Sequence, residues 1–391
     1  PSTVAGGVFE FRDISIPEGV VVRGQGSNPL VLLATGEIHV RGRLSVDGGA
    51  GERARDPGQY RGPSDMAYPR AQTAAGSALL CNTPLSPPGG VPNCGGGAGG
   101  SGCLLTTNSS PSGQDGFGPG NRQGGGGQGG ASGFGPGAQG AGGGGGSFTT
   151  HGDPSYGTFS FLQRTGAGGN GGGTSAATGQ GIPEGGRPGA PPFVDSDPEN
   201  DFFGRDVRSV QGRERAVLGE LKAPLGGQGG GGGGNHIYGP VFPSGANFAG
   251  NDRRGGGGGA GGGVLILKAV GRVVVHPSGQ VTANGGDGEG GCQAGSNTMA
   301  GGGAGGSGGM IVIQSSTGIE IAPRGGAAPL LYGVSADGGV GRNGTFSGGA
   351  FLTKYPAGQA VNLGSANRGG FGGLGLVQLM APDPARSIRF D

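Results

Sequence analysis

Glycine tracts that run directly into apolar, strand-like segments place the tightest limits on how this chain can fold. Residues 255–263 read GGGGGAGGG and continue as VLILKA, and the same junction occurs where 301–309 meets MIVIQS and where 369–375 meets LVQLM. Ordering the backbone of one residue costs about 1–2 kcal/mol, and glycine lies at the upper end of that range. Ordered tracts must therefore pack in a regular way that offsets this cost many times.

The composition favours an ordered chain of unusual architecture. The 391 residues include 107 glycines and 28 prolines, a content typical of low-complexity segments. Only 13% of the residues are charged, however, whereas disordered chains are usually rich in charge. Glycine does not recur at every third position together with proline, which excludes a collagen triple helix.

Internal repeats indicate the fold. Three stretches, 30–52, 264–289 and 310–341, each read as an apolar strand, a short turn, a second strand, a glycine turn, a third short strand and then Asp or Asn near Gly-Gly. Residues 372–382 form a fourth, partial copy, and the opening segment adds strands around Phe9–Phe11 and Val20–Val22. Short strands of this kind, rich in β-branched residues and separated by tight turns, predict an all-β fold, a β-solenoid of stacked strands.

The predicted organisation has three parts. Residues 1–52 hold the N-terminal strands of the β-solenoid, 53–254 form a Gly/Pro-rich insertion with further glycine tracts and long irregular loops, and 255–391 complete the solenoid. One short α-helix is predicted over 208–223, because the apolar residues of that segment fall roughly on one face and Pro224 provides a stop.

The glycine tracts are predicted to form a bundle of polyglycine-II-type helices. Such a helix has three residues per turn, rises about 3.1 Å per residue and makes no internal hydrogen bonds. Its amides must be satisfied by neighbours, and the absence of side chains lets several such helices pack closely. The alternatives are flexible linkers and a glycine β-sheet, of which the second is disfavoured by interruptions such as FGPG at 117–120.

The junctions GGGGGAGGGVLILKA and GGGAGGSGGMIVIQSS, with VTANGGDGEGG between them, resemble the repeats of large glycine-rich secreted bacterial proteins. The polyglycine bundle resembles the polyglycine-II layers of phage tail-fibre adhesins and of glycine-rich antifreeze proteins. The resemblance covers mainly residues 8–51 and 255–316. It implies a secreted protein in which glycine tracts pack beside a solenoid.

Charge excludes some partners. The formal net charge is +1, and the densest basic segment, 205–215, is interleaved with acidic residues, so no basic stripe for nucleic acid is present.

No apolar run approaches the roughly 20 residues that a membrane-spanning helix needs. Pro1 reads as the start of a mature chain rather than of a signal peptide, and we expect an extracellular or cell-surface location.

Cysteine content agrees with export. An even number of cysteines in a Gly/Ser/Asn-rich chain favours disulfides, with the first two enclosing a proline-rich loop and the other two joining an early glycine segment to a late one. Three pairings are possible, and the spacing lacks the C-x2-C pair expected of a zinc site. The four residues are Cys81, Cys94, Cys103 and Cys292.

Acidic residues provide two candidate calcium sites, one stronger than the other. Alternating acids in VDSDPENDFFGRD suit a hard cation such as calcium, although the glycine expected at the sixth place is Asn200, and a solvated loop is the competing interpretation. The candidate ligands are Asp195, Asp197, Glu199, Asp201 and Asp206. NGGDGEGG, with Asp287 and Glu289, is a weaker match to calcium-binding nonapeptide repeats. No other cofactor is predicted.

Catalytic motifs carry no information in this background, so the chain is not expected to be an enzyme. His39 and His276 are predicted to occupy equivalent positions of two stacked copies rather than to act in catalysis. Unpaired sheet edges invite strand addition, which makes 1–16 and 375–391 candidate joining segments.

The predicted function is therefore a self-assembling extracellular structural protein of a fibre, sheath or surface layer. One alternative is an adhesin or receptor-binding tip that binds a surface glycan through aromatic residues such as Phe117, Phe134 and Tyr156. A polysaccharide-active β-helix enzyme is a third possibility, and it would need convergent acidic residues beside Arg or Lys.

Overall fold

The computed structural model describes residues 2–52, 87–102, 113–123, 125–130, 133–134, 140–149, 186, 189, 208–210, 213–215, 224–237, 255–291, 300–324, 331–341 and 369–390. Regular structure in these ranges is almost entirely β-strand, and most strand pairs are parallel. This confirms the β-rich class that the sequence predicts. A single four-residue α-helix, α1 (Pro384–Ser387), and a 3-10 turn, Pro119–Asn121, are the helical elements of the described ranges.

In chain order, the strands are β1 (Ser2–Phe11), β2 (Ile14–Ile16), β3 (Val21–Ala34), β4 (Ile38–Val40), β5 (Arg43–Ser45), β6 (Gly133–Phe134), β7 (Arg208–Val210), β8 (Arg213–Arg215), β9 (His236–Ile237), β10 (Val264–Ala269), β11 (Val273–Val275), β12 (Gln280–Thr282), β13 (Met310–Ser315), β14 (Ile319–Ile321), β15 (Pro323–Arg324), β16 (Leu331–Tyr332), β17 (Val334–Ser335), β18 (Leu376–Met380) and β19 (Ile388–Arg389).

Successive copies of the repeat pair in parallel and in register, in three columns. The first column runs from the second half of β1 through the second half of β3 to β10, β13 and β18. The second column runs β2, β4, β11, β14, β19. The third runs from the first half of β1 through the start of β3 to β5, β12 and β17. Each predicted full copy therefore contributes one strand to every column.

The core lies between the columns. Alternate residues of each strand point inward, and equivalent residues of neighbouring copies stack: Leu32 pairs with Leu267, which pairs with Ile313. Leu267 and Ile313 are fully buried, and burying an aliphatic side chain of this size contributes about 1.5–3 kcal/mol. A second apolar cluster around Phe148 covers the opposite face of the first column, which explains why β10 and β13 are apolar at successive positions.

The glycine tracts hydrogen-bond to one another with a period of three residues. In tract 255–263, residues 256, 259 and 262 donate to tract 300–309, residues 257, 260 and 263 donate to segment 46–52, and residues 258 and 261 donate to segment 97–100. Carbonyls of the same tract accept from segments 87–91, 226–234 and 285–289. Backbone groups of this tract are thus satisfied by six surrounding segments, several of which belong to the insertion 53–254.

Two expectations about local structure are corrected. The helix predicted over 208–223 is wrong at its start, because β7 and β8 form an antiparallel pair there; residues 216–223 lie outside the described residues. Gly212, between the two strands, disfavours a helix by about 1 kcal/mol. The opening segment holds a strand that was not predicted, β2, and β3 continues without a break from the third column into the first.

Candidate assembly site: two unpaired sheet edges

The stack of strands begins at an edge made by β1 and β2, which we call the N-terminal edge. Each of these strands pairs on one side only within the described ranges, β1 with β3 and β2 with β4. Phe9 and Ile14 pack against the core from this edge and are only partly buried, while Val8 is 63% exposed and Phe11 47% exposed. The core is therefore open to solvent at this end of the columns.

The stack ends at a second edge, made by β18 and β19, which we call the C-terminal edge. Among the described strands, β18 pairs only with β13, and β19 only with β14. Leu379 and Ile388 pack on the core but are incompletely covered, and Val377 is 37% exposed. Both ends of the same parallel stack therefore present backbone groups that pair with no other described strand, beside apolar side chains.

The two edges carry opposite charge. Residues 2–16 of the N-terminal edge contain two acids, Glu10 and Asp13, and one arginine, a net charge of −1. Residues 383–389 of the C-terminal edge contain one aspartate and two arginines, a net charge of +1. Each edge has one exposed internal ion pair, Arg12–Asp13 and Arg386–Asp383, both at 3.6 Å. The remaining charges favour contact between unlike edges over contact between like edges.

A ladder of Asp and Asn side chains runs along the third column. The Asp47 carboxylate accepts the Asn284 backbone N–H at 2.7 Å, and the Asn284 side-chain oxygen accepts the Asp337 N–H at 2.7 Å. Asp47 also accepts from Thr282 at 3.0 Å and from Arg43 at 2.6 Å. Each rung of this ladder therefore fixes the next one in register. The repeated D-G-G or N-G-G after each third strand was the sequence signal for it, although no role was predicted for these residues.

His39 and His276 lie against each other across two copies, as the repeat predicted, but not at equivalent positions. His39 is in register with Val274, and His276 follows β11. Their rings stack with centroids 5.4 Å apart, and Nδ1 of His39 lies 3.1 Å from Nε2 of His276. Glu37 contacts the other ring nitrogen of His39 at 3.0 Å.

Burial lowers the pKa of His276, and the neighbouring positive charges of Arg41 and His39 lower it further, against an opposing effect of Glu320. The pair is therefore most stable when at least the His276 ring is neutral.

Cys94 is a free thiol in a fully buried position, so the expected bridge from Cys81 to Cys94 is not formed. Burial raises the pKa of the Cys94 thiol to about 11, which makes it a poor nucleophile. Cys81, Cys103 and Cys292 lie outside the described residues, and any pairing among them stays a prediction.

The predicted calcium ligands between 195 and 206 also lie outside the described residues. Within the described ranges, no three acidic, histidine or cysteine side chains gather into a possible metal site. Asp287, the weaker calcium candidate, instead accepts the Val340 N–H at 2.9 Å. Phe117 is half-buried, whereas Tyr156 and the side chain of Phe134 are not described, so the aromatic cluster of the adhesin hypothesis stays a prediction.

The described part of the chain contains no helix long and apolar enough to cross a membrane. The chain matches no protein-family model, and comparisons with curated proteins and with solved structures found no match.

Proposed function

We propose that this chain is an extracellular structural protein whose copies join end to end into a fibre, sheath or surface layer. The observation that supports this most directly is that one stack of parallel strands has, at each end, a partly apolar edge that pairs with no other described strand. In repeat folds, terminal repeats need a polar outer face to remain soluble alone. A further copy at each end would cover the two edges with strands of the same kind.

The proposed architecture is a β-solenoid, in which each turn of the chain adds one strand to each of the three columns. Parallel pairing in all three columns, in the same order, supports this interpretation. A solenoid has two different ends, so joining them is a head-to-tail contact. Repetition of such a contact gives an open filament unless the rotation closes a ring.

The glycine tracts are proposed to be polyglycine-II-type helices packed beside the solenoid. The three-residue period of their hydrogen bonds supports this, because a helix with three residues per turn directs every third amide to the same neighbour. A layer held mainly by backbone hydrogen bonds to six surrounding segments suits a load-carrying material, since few of its contacts, such as Gly255 to the Asn235 side chain, depend on a flexible side chain. The same layer leaves the two strand edges free for assembly.

The first test is the state of assembly of the purified chain. We expect light scattering and electron microscopy to show end-to-end polymers that grow with protein concentration. Val8→Lys places a charge on the N-terminal edge, where it opposes strand addition. This variant should raise the concentration needed for assembly about tenfold, equivalent to about 1.4 kcal/mol.

Val270→Lys is the matched control, because Val270 is 59% exposed, similar to Val8, but lies in the turn between β10 and β11. It should assemble like the parent chain. A parent chain that stays monomeric at every concentration, or equal inhibition by the two substitutions, would contradict the proposed function.

A further inference from the structure

The described strands start and stop at different columns. Ser2–Ala5, the first half of β1, pairs with Val22–Gln25 in the third column, and the chain enters the first column only after a register shift at Gly6, where Gly7 pairs with Leu30. At the other end, β18 lies in the first column and β19 in the second. Among the described residues, the stack therefore opens with a lone third-column strand and closes with a turn of which the first two strands are described.

These two incomplete turns are complementary. The last described strand of the third column is β17. The next position of that column, in the same turn as β18 and β19, holds no described strand. If the first column continues from β18 of one copy to Gly7–Phe11 of the next, the register carries Ser2–Ala5 of the next copy onto β17. The first copy has no described third-column strand after β17, and Ser2–Ala5 of the next copy would fill that position.

We propose that end-to-end assembly proceeds by a split turn, in which residues 2–5 of one copy complete the turn begun by β18 and β19 of another. This inference rests on the proposed function and specifies its contact. The partner is a second copy of this chain, and the opposite net charges of the two edges favour that partner. The added strand would pair on one side with β17 of the preceding copy and on the other with Val22–Gln25 of its own chain.

The side-chain ladder of the third column ends at the same place. Asp47 accepts the N–H of Asn284, and Asn284 accepts that of Asp337, so each rung binds the amide of the following rung. The half-buried Asp337 carboxylate has no donor among the described residues. In the third column, Ala5 pairs with Gln25, and Arg23 pairs with Ser45. Two residues further along each strand, Gln25 lies opposite Asp47. Ala5 therefore occupies the same register position as Asp47. The split turn therefore brings the N–H of Ala5 of the next copy to the Asp337 carboxylate.

Cysteine cross-linking tests this geometry between copies. Chains carrying Thr3→Cys are mixed with chains carrying Ser335→Cys, oxidised under assembly conditions, digested and mapped by mass spectrometry. Within one chain these positions are four strand spacings apart in the column, about 19 Å. A disulfide needs Cα atoms about 4.4–6.8 Å apart, so a 3–335 link can form only between copies. We expect this link, and its absence from unmixed samples of either variant.

A second pair, Val8→Cys with Gln378→Cys, reports the first column alone. If 8–378 links form without 3–335 links, end-to-end assembly stands and the split turn is wrong. If neither link forms although the chains polymerise, the copies are not joined through these strand edges and the split turn is wrong; if the chains also stay monomeric, both proposals fail.

Substitution of Asp337 gives an independent measurement. Asp337→Ala should raise the concentration needed for assembly about tenfold, because a charge-assisted hydrogen bond is lost at every joint. Asp337→Asn keeps an acceptor like that of Asn284 and should stay within about twofold of the parent. Equal assembly of the Ala and Asn variants, with both folded by circular dichroism, would remove Asp337 from the joint.

Discussion

Replacing Gly306 by alanine tests the close packing of the glycine tracts. A Cβ at this position would lie well under 3.0 Å from the main-chain carbonyl oxygen of Ala260, which no side-chain rotation can move away. The Gly306 N–H donates to Gly286 at 3.0 Å, and its carbonyl accepts from Gly339 at 2.7 Å. The added methyl group must therefore push tract 300–309 away from tract 255–263, to which its neighbours Ala304 and Ser307 are hydrogen-bonded.

The size of the expected change in the free energy of unfolding depends on which contacts Gly306→Ala disrupts. Where the backbone tolerates it, Gly→Ala usually stabilises a protein by about 0.4–1 kcal/mol, since the unfolded chain loses freedom. At Gly306 a shift of about 1 Å would strain or break its two hydrogen bonds, and each buried group left unsatisfied costs about 1–3 kcal/mol. We expect Gly306→Ala to lower the free energy of unfolding by about 3 kcal/mol.

Guanidinium unfolding followed by circular dichroism measures this change. Ala304→Gly, in the same tract and also buried, is the control, and its expected cost is about 1 kcal/mol from the greater backbone freedom of glycine. If Gly306→Ala is as stable as the parent chain or more stable, the tracts do not pack backbone against backbone, and close packing is not the reason for their glycine content.

Three further predictions concern single residues. Asp47→Ala should cost about 2–3 kcal/mol in unfolding experiments, because it leaves the Asn284 N–H without its acceptor, whereas Asp47→Asn should cost less. The pKa of His276 is lower in the folded chain than in the unfolded one, so the unfolded chain binds the proton first; stability should fall as pH drops below about 6.5, and His276→Gln should flatten that dependence. Cys94 should resist iodoacetamide at pH 8 in the native protein and react after denaturation, because burial raises its pKa to about 11; peptide mapping distinguishes it from the other cysteines.

The repeat pattern was sufficient to predict the strands of the three full copies, but not the strand β2 or the way in which β1 is shared between columns. Apolar alternation and the recurring glycine turns located β10, β13 and their partners, because those segments are buried in the same way in each copy. Nothing comparable marked β2, whose three residues ISI are followed at once by Pro17, and only pairing with β4 identifies it as a strand. The split of β1 between two columns depends on a register shift at Gly6, a tertiary feature that local sequence does not reveal.

The sequence predicted strands in both terminal segments, and the structure has them there. That these strands join copies stays a proposal, and the side-chain ladder of the third column was not predicted. In the sequence, Asp337 has no feature that distinguishes it from other loop aspartates. The structure shows that it follows Asp47 and Asn284 in one hydrogen-bonded ladder. The helix predicted at 208–223 was wrong at its start, because helical periodicity was inferred from few apolar residues in a segment that contains Gly212. Apolar periodicity predicted the strands that recur in several copies, but it was a poor guide for a segment that occurs only once in the chain.

Glycine content and strand register are connected at the junctions where tracts become strands. The Gly263 N–H donates to Val46 and the next residue, Val264, donates to Cys94, while Met310 donates back to Gly263. Hydrogen bonding thus continues across the boundary between tract 255–263 and β10 with no intervening loop. A tract with side chains on all faces could not approach its neighbours this closely, and the strands that follow would then be held at a spacing that a sheet does not allow. The glycine tracts are therefore part of what sets the register of the columns, and through the columns they position the edges that the proposed assembly uses.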